Sequence, residues 1–396
     1  MTIVAQIFPH YFPTLAGAAE RFRRYAPGLS SRGVSSSVIT TKNHQSLSEF
    51  ENLDGIINIT RVDVGKLPEE RDARLFLEAH KILKLNRLQA NVAQTIKSDR
   101  KLIKHLYCIK KQGKGLISIS TMVENDTWGK TFLHQWLNRQ LQVLSQRLFD
   151  AVVVGSGVMA ESQMRFGAKA HKLHIISHGV DTLRFCPKFI ARAELIPALP
   201  ANAKVCLSVG NLIPRKGIHT ILESWNEIIR LRPDAWLVLV GGIDRPTIST
   251  DAERLELEAY QKRLLNLIEQ IPQVIYAGQH SDIEKWYQCA DLFVFPSQQE
   301  GFPNALLEAM STGLPCFTSK FLGFPTGELD EDNGTIAIVN DTPGDWIGSI
   351  LKGLNDVNLR ATMGLRARQL ILRNHDLSVT LDKYAELYHL NGHKVK

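Results

Sequence analysis

From end to end the chain alternates short apolar runs, rich in β-branched and aromatic residues, with longer stretches of helical periodicity. This is the pattern of βαβ units, whose parallel sheets are covered by helices. The alternation runs through twice. In the first series strand patterns fall at 3–8, 36–40, 56–62, 115–120, 151–154 and 173–177, with helical patterns around 18–31, 71–93 and 129–149. A segment holding Pro187, Pro197 and Pro200 follows, and the fixed φ and missing N–H of proline suit a linker. The second series then places strands at 204–209, 235–240, 274–276, 292–295, 315–318 and 335–339. With a boundary near residue 188, the pattern predicts two doubly wound, Rossmann-like α/β domains in tandem, 1–188 and 189–374. Sheets of that kind bind ligands beyond the carboxyl ends of their strands. In the remainder, 375–396, Leu377, Leu381, Tyr384, Leu387 and Tyr388 share one helical stripe, which predicts a terminal helix packed on a preformed surface and bracing the two domains.

A length of 396 residues, 44% of them hydrophobic, supplies apolar side chains for more than one core. No stretch reaches the roughly 18 consecutive apolar residues of a spanning helix, and the start MTIVAQIF lacks the features of a secretory signal. The five cysteines are scattered and without a C-x-x-C pair, so neither a disulfide scaffold nor a structural zinc site is expected. A cytoplasmic location is the expectation. The net charge of +7 is unevenly spread: residues 1–185 carry 26 basic and 15 acidic side chains, a net of +11, and the rest a net of −4. The densest basic run is Lys97, Arg100, Lys101, Lys104, Lys110, Lys111 and Lys114. It can face an anionic membrane surface or be a solvated face. Without interleaved aromatics it is a poor platform for nucleic acid, which is not expected as a partner.

The most informative segment is DLFVFPSQQEGFPNALLEAMSTGLP, residues 291–315, which reads as a buried strand, a short loop, a helix and the approach to the next strand. Gly301 permits close backbone approach, Pro303 stands where a helix starts, and Gly313 with Pro315 forms a helix stop. The amides of Phe302, Asn304 and Ala305 are then expected as unpaired donors at a positive helix end, which is a site for a phosphate. Two carboxylates frame the loop. Glu308 is placed to accept hydrogen bonds from a ribose diol, and Glu300 to face whatever the second phosphate carries. The alternative is that Glu300 caps the helix and Glu308 makes a surface pair. In a second loop, between Gly210 and Gly217, Arg215 and Lys216 follow a strand directly. Cations disfavour a helix start, and here they can neutralise charge on a departing diphosphate. The run is not a Walker A loop.

These segments resemble the retaining glycosyltransferases of family 4, which have the GT-B fold of two Rossmann-like domains facing across a cleft. EGFPNALLEAMSTGLP resembles that family's E-x7-E signature, with Cys316 where an aliphatic residue is usual. CLSVGNLIPRKGIHTILESW resembles its strand, glycine-containing turn, Arg/Lys pair and helix. HGVDTLRFCP is similar to its interdomain element, with His178 in place of asparagine. YAGQHSDIEKWYQCADLFVFPS resembles the stretch that cups the base, which implies backbone contacts at Gly278, Gln279 and His280. FPHYFPTLAGAAERF resembles the Gly-Gly-Ala-Glu loop near donor phosphates and acceptor: Gly17 keeps the first glycine, Ala18 replaces the second, and His10 lies in the same loop. ISISTMVENDTWG lacks the histidine many members carry there. It offers Thr121, Glu124, Asn125 and Asp126, an acidic pair suited to an acceptor hydroxyl or, for Asp126, to a helix cap.

The resemblance implies a hexosyltransferase-like enzyme that moves a sugar from a UDP- or GDP-linked donor to a hydroxyl of a glycan, glycolipid or other acceptor, with retention, in cell-envelope or polysaccharide synthesis. It also implies that Arg215 and Lys216, rather than a metal ion, stabilise the leaving diphosphate, and no resident cofactor is expected. The acidic stretches 124–126 and 330–332 look like metal motifs, but the second reads as a solvated turn. A peripheral position on the cytoplasmic face of a membrane follows from the basic first domain. A non-hydrolysing sugar-nucleotide epimerase and a catalytically silent sugar-nucleotide-binding protein are the alternatives.

Overall fold

The run TIVAQIF forms strand β1 (Thr2–Phe8), nearly all of it buried, because a strand in the middle of a helix-covered parallel sheet meets apolar layers on both faces. Around it lie β2 (Val34–Thr41), β3 (Phe50–Leu53), β4 (Ile57–Val62), β5 (Val92–Thr95), β6 (Gly115–Ile119), β7 (Ala151–Val154) and β8 (Leu173–Ile175). The order in the sheet is β3-β4-β2-β1-β5-β6-β7-β8, and only the β3/β4 pair is antiparallel. The second sheet contains β9 (Lys204–Val209), β10 (Ala235–Val240), β11 (Val274–Gly278), β12 (Leu292–Phe295), β13 (Cys316–Ser319) and β14 (Ala337–Val339). Its order, β11-β10-β9-β12-β13-β14, is parallel throughout. Successive residues of β9 serve opposite faces: Val205 and Leu207 join one apolar cluster and Cys206 the other. The computed structural model describes residues 1–12, 17–65, 68–85, 87–96, 102–120, 132–243, 251–325, 329 and 334–393.

Two compact units result, Met1–Ser177 with Ser378–Lys396, and His178–Leu377. The division falls about ten residues before the predicted boundary, and the hydrogen bonds show why. Val180 pairs with Asp376, Arg184 Nη2 reaches Glu284 at 2.7 Å, and the Phe185 carbonyl accepts from Ser311 Oγ at 2.6 Å. The stretch after residue 177 is therefore built into the second unit before the prolines are reached.

Two strands escape the sequence pattern. Helix Pro68–Lys84 stops well before residue 93, and NVAQT supplies β5, the neighbour of β1. Four residues buried on both faces show neither alternation nor length, so the helical periodicity before them hid the strand. The other is β3, which turns back on β4 with Asp54 and Gly55 at positive φ in the connection.

The predicted stripe on the terminal helix Leu377–Gly392 is buried: Leu381, Tyr384, Leu387 and Tyr388 are each at most 4% exposed. From Ser378 onward the helix is packed into the first unit. The Tyr384 ring lies 5.4 Å from Phe22, Arg32 Nε meets Asp382 at 2.6 Å, and the Tyr388 hydroxyl donates to Gln94 of β5. That bond gives the buried Gln94 Oε1 a donor in the core.

Candidate active site at the switch point of the second sheet

In the second sheet the chain winds outward from β9 to β10 and β11, then crosses back to place β12 on the other side of β9. Where the winding reverses, the loops leaving β9 and β12 diverge and open a crevice at the carboxyl ends of the strands. Those two loops are the ones singled out in the sequence, residues 210–217 and 296–303.

The first loop ends in a single 3-10 turn, Pro214–Lys216, closed by Gly217 at φ 66°. A Cβ at position 217 would lie 1.9 Å from the carbonyl oxygen of Pro296, so both the backbone angle and the close approach of the second loop require glycine. Gly217→Ala should therefore lower the free energy of unfolding by at least about 1–2 kcal/mol, read from urea denaturation. Equal stability would contradict this packing.

The loops are laced together. Gln298 N donates to the Arg215 carbonyl at 2.8 Å, and Arg215 Nη1 donates to the Gln299 carbonyl at 2.9 Å. Leu322 pins the far side: Glu300 N donates to its carbonyl at 3.1 Å, and its own amide donates to the Gln298 carbonyl at 2.8 Å. With its backbone so fixed, Glu300 is only 6% exposed and directs its carboxylate at both predicted cations. Lys216 Nζ lies 2.7 Å from Oε1 and Arg215 Nη1 lies 3.4 Å from Oε2. Ser297 Oγ donates to Oε1 at 2.5 Å. Glu300 does not cap the following helix, whose N-cap is Pro303 without a side-chain bond. One carboxylate thus holds two cations at the sheet edge, leaving one net positive charge and several N–H donors for an anion. The stem of Lys216 passes over Gly210, where a Cβ would sit 3.4 Å from Lys216 Cε, and its ammonium lies 5.2 Å from the Phe295 ring centroid.

Helix Asn304–Ser311 starts immediately beyond. Of the three amides expected as free donors, that of Asn304 is turned back on the Phe302 carbonyl at 3.0 Å, because the chain makes a tight turn at Pro303. The amides of Phe302 and Ala305 have no partner among the described residues. The Phe302 ring is buried beside the rings of His178, 4.7 Å away, and His375, 6.1 Å away. His178, at the position where the resemblance expects asparagine, bonds Asn304 Oδ1 through Nδ1 at 2.7 Å and so fastens the start of this helix.

Glu308 Oε2 accepts a 3.0 Å hydrogen bond from the hydroxyl of Tyr287. Tyr287 is fully buried, and burial above all, with the Glu308 charge adding to it, pushes its phenol well above its ordinary pKa. It remains the donor and fixes one carboxylate oxygen from below. Gln279 and His280 are exposed at the end of β11, two strands or about 10 Å from β9. His280 bonds the Ala277 carbonyl at 3.0 Å, and its ring lies 4.6 Å from that of Trp286.

In the first unit, His10 Nδ1 is 3.3 Å from Asn43 Nδ2 in the loop after β1, and Gly17 opens helix Gly17–Ser30. Thr121, Glu124, Asn125 and Asp126 lie outside the described residues, as do 330–332, Lys97, Arg100 and Lys101. Two of the described lysines of the basic run have partners of their own. Lys110 is spent on Asp150 at 2.8 Å and Lys114 on the Ala90 carbonyl at 2.6 Å.

Sequence reasoning missed Ser297 and Tyr287. Ser297 carried a signal, since S-x-x-E is the spacing of a capping box, although here the hydroxyl serves the glutamate itself. Tyr287 carried none, because in WYQC it reads as one more buried aromatic.

Residues 192–370 match the family described as Glycosyl transferases group 1, and the stretch includes every site residue of the second unit named above except His178 and His375. Across 98% of this chain the structure superposes on 99% of sucrose-phosphate synthase from Thermosynechococcus elongatus, with a TM-score of 0.78 at 20% identity. This is the GT-B fold. Anabaena HepE in complex with UDP and glucose shows the same GT-B architecture, with a TM-score of 0.74 at 15% identity over 98% of this chain and 99% of that one. By sequence, 223 residues are 31% identical to the Escherichia coli UDP-Gal:alpha-D-GlcNAc-diphosphoundecaprenol alpha-1,3-galactosyltransferase, covering 55% of this chain and 54% of that enzyme. The chain spans about half the length of the curated relatives it matches.

Proposed function

We propose that the chain is a retaining glycosyltransferase of the E-x7-E type that transfers a sugar from a nucleoside diphosphate sugar to a hydroxyl of a glycan or glycolipid in cell-envelope synthesis. The observation that carries this reading is the meeting of Glu300 with both Arg215 and Lys216 at the switch point, with Glu308 anchored in the next helix. The names of the relatives point the same way: a galactosyltransferase acting on a diphosphoundecaprenol-linked sugar, and a fold neighbour holding UDP and glucose.

In this reading the diphosphate lies against Arg215, Lys216, Gly210 and the amides of Phe302 and Ala305. Glu308 binds the ribose, Gln279 and His280 flank the base, and Glu300 faces the sugar. The first unit presents the acceptor, with His10 and Gly17 near it. The acceptor oxygen bonds to the anomeric carbon on the face the diphosphate leaves. The bond from that carbon to the phosphate oxygen breaks with its electron pair, and the departing phosphate oxygen takes the acceptor proton. Arg215 and Lys216 stabilise the charge that collects on the diphosphate, and fixed charges aimed in this way usually lower a barrier more than any other device of an active site. The deciding experiment is incubation with UDP-, GDP- and ADP-sugars, with and without cell-envelope lipid extract, in the presence of excess EDTA. Acceptor-dependent release of nucleoside diphosphate with retained anomeric configuration is expected. Release that needs added magnesium or manganese would overturn the metal-independent step.

Contact with an anionic membrane belongs to the same proposal. Among the described residues no helix is long and apolar enough to cross a membrane. On helix Ile103–Lys110 and its C-cap, Lys104, Tyr107 and Lys111 form one exposed stripe, with the Lys111 ammonium 4.9 Å from the Tyr107 ring centroid. Replacing Lys104 and Lys111 by Gln should weaken salt-sensitive adsorption to anionic vesicles by up to about 1 kcal/mol per lysine. Equal binding by wild type and variant would leave the stripe as solvated surface.

A further inference from the structure

Outside everything assigned above, the first unit holds a groove of about 560 Å3. One wall is the β3/β4 hairpin, and the other is formed by Glu78 and Ile82 of helix Pro68–Lys84 with Arg87 and Leu88 beyond it. The Phe50 side chain stands at its edge, 65% exposed. Below it Asn52 Nδ2 donates to Asn58 Oδ1 at 2.8 Å, and both amides face outward from the hairpin.

The charges select the kind of ligand. Glu49, Glu51, Asp63 and Glu78 line the groove against Arg61 and Arg87, a net of −2, which disfavours phosphates and anionic lipid headgroups. Within that sum Arg61 is paired with Glu51 at 2.6 Å. Four carboxylates also make a poor seat for an acyl chain. What remains favourable is a neutral, hydroxyl-rich molecule: its O–H groups donate to carboxylates and amides, and an apolar C–H face rests on the exposed aromatic ring.

The groove is physically joined to the loop after β1. The guanidinium of Arg61 is 1% exposed and spans the two. It donates to the Ser48 carbonyl at 3.1 Å beside the hairpin and to the Phe12 carbonyl at 3.0 Å in the loop that carries His10. Thr41 Oγ1 secures the same loop through the Pro9 carbonyl at 2.6 Å. β4 lies two strands from β1, so the part of the groove at the carboxyl end of β4, Arg61, Val62 and Asp63, is about 10 Å from that loop. A glycan whose reacting end lies at the β1 loop would reach it with its next sugars.

We propose that this groove is a subsite for neutral sugar residues of the acceptor, removed from the one that reacts. The proposal rests on the transferase reading, and its test is kept separate from turnover. Ligand-observed NMR on the full chain without donor, using lactose, cellobiose and mannobiose as probes, should show at least one of them binding. Phe50→Ala and Asn52→Ala, both at exposed positions, should each weaken that binding by about fivefold or more. Both should leave the thermal unfolding transition and donor-only nucleotide release unchanged. If none of the three disaccharides binds, or if binding survives both substitutions, the subsite is refuted. Failure of the transferase reading would instead show as the absence of nucleotide release from every nucleotide sugar, which the groove variants do not touch.

Discussion

Lys216→Ala is expected to lower kcat by about 10²–10³, the effect of removing one preorganised charge aimed at a leaving group, with a much smaller change in donor KM. The asymmetry follows from when the charge appears. In the ground state the diphosphate shares its charge with the sugar ester, and in the transition state that charge is concentrated on the departing oxygen. Lys216 is 18% exposed at its side chain and held 2.7 Å from Glu300, so its ammonium does not have to be ordered during the reaction. Arg215→Ala should act in the same direction, and less strongly, since Arg215 is 33% exposed and meets Glu300 at 3.4 Å. The double variant should lose less than the product of the two, because both cations share one carboxylate. Initial rates of nucleotide release over a range of donor concentrations measure all three. Full turnover in both single variants would remove the phosphate assignment.

The second large effect separates the two glutamates. Glu308 is assigned to a part of the donor that is unchanged by reaction, so Glu308→Gln should chiefly raise donor KM. Tyr287→Phe should do the same on a smaller scale, about two- to tenfold, because it removes a bond that positions that carboxylate while keeping the ring that packs on Phe185 and Phe293. Glu300→Gln should chiefly lower kcat. The carboxylate lies beside developing positive charge at the anomeric carbon, and it is also what holds Arg215 and Lys216 in place. Removing its charge leaves two half-buried cations facing each other, so stability should fall as well. Calorimetric titration with the free nucleoside diphosphate provides the check: affinity falls for the Glu308 and Tyr287 variants and holds for Glu300→Gln. The reverse pattern would mean the two carboxylates have been assigned the wrong way round.

What could be read in the chain was whatever is local. Strand, loop and helix at 291–315 follow one another within one segment, so Glu300, Pro303 and Glu308 declare their positions by order and spacing alone. Arg215 and Lys216 do the same just after β9, and alternating apolar runs are enough to announce two parallel sheets. The terminal helix showed its buried stripe because side chains three and four apart share a face whatever they pack against.

The tertiary structure decided what depends on contacts between distant segments. β5 and β3 are too short for periodicity, and they exist because neighbours in the sheet complete their hydrogen bonds. Tyr287 serves Glu308 only because the helix Ile283–Cys289 packs beneath the helix Asn304–Ser311, and Arg61 reaches Phe12 across forty-nine positions of sequence. Lys110 and Lys114 left the basic run because Asp150 and the Ala90 carbonyl came within reach. The pairing of Glu300 with both cations, the feature from which the chemistry is argued, needed the switch point itself. Two loops 84 and 85 residues apart meet there only because the chain reverses its winding at β9.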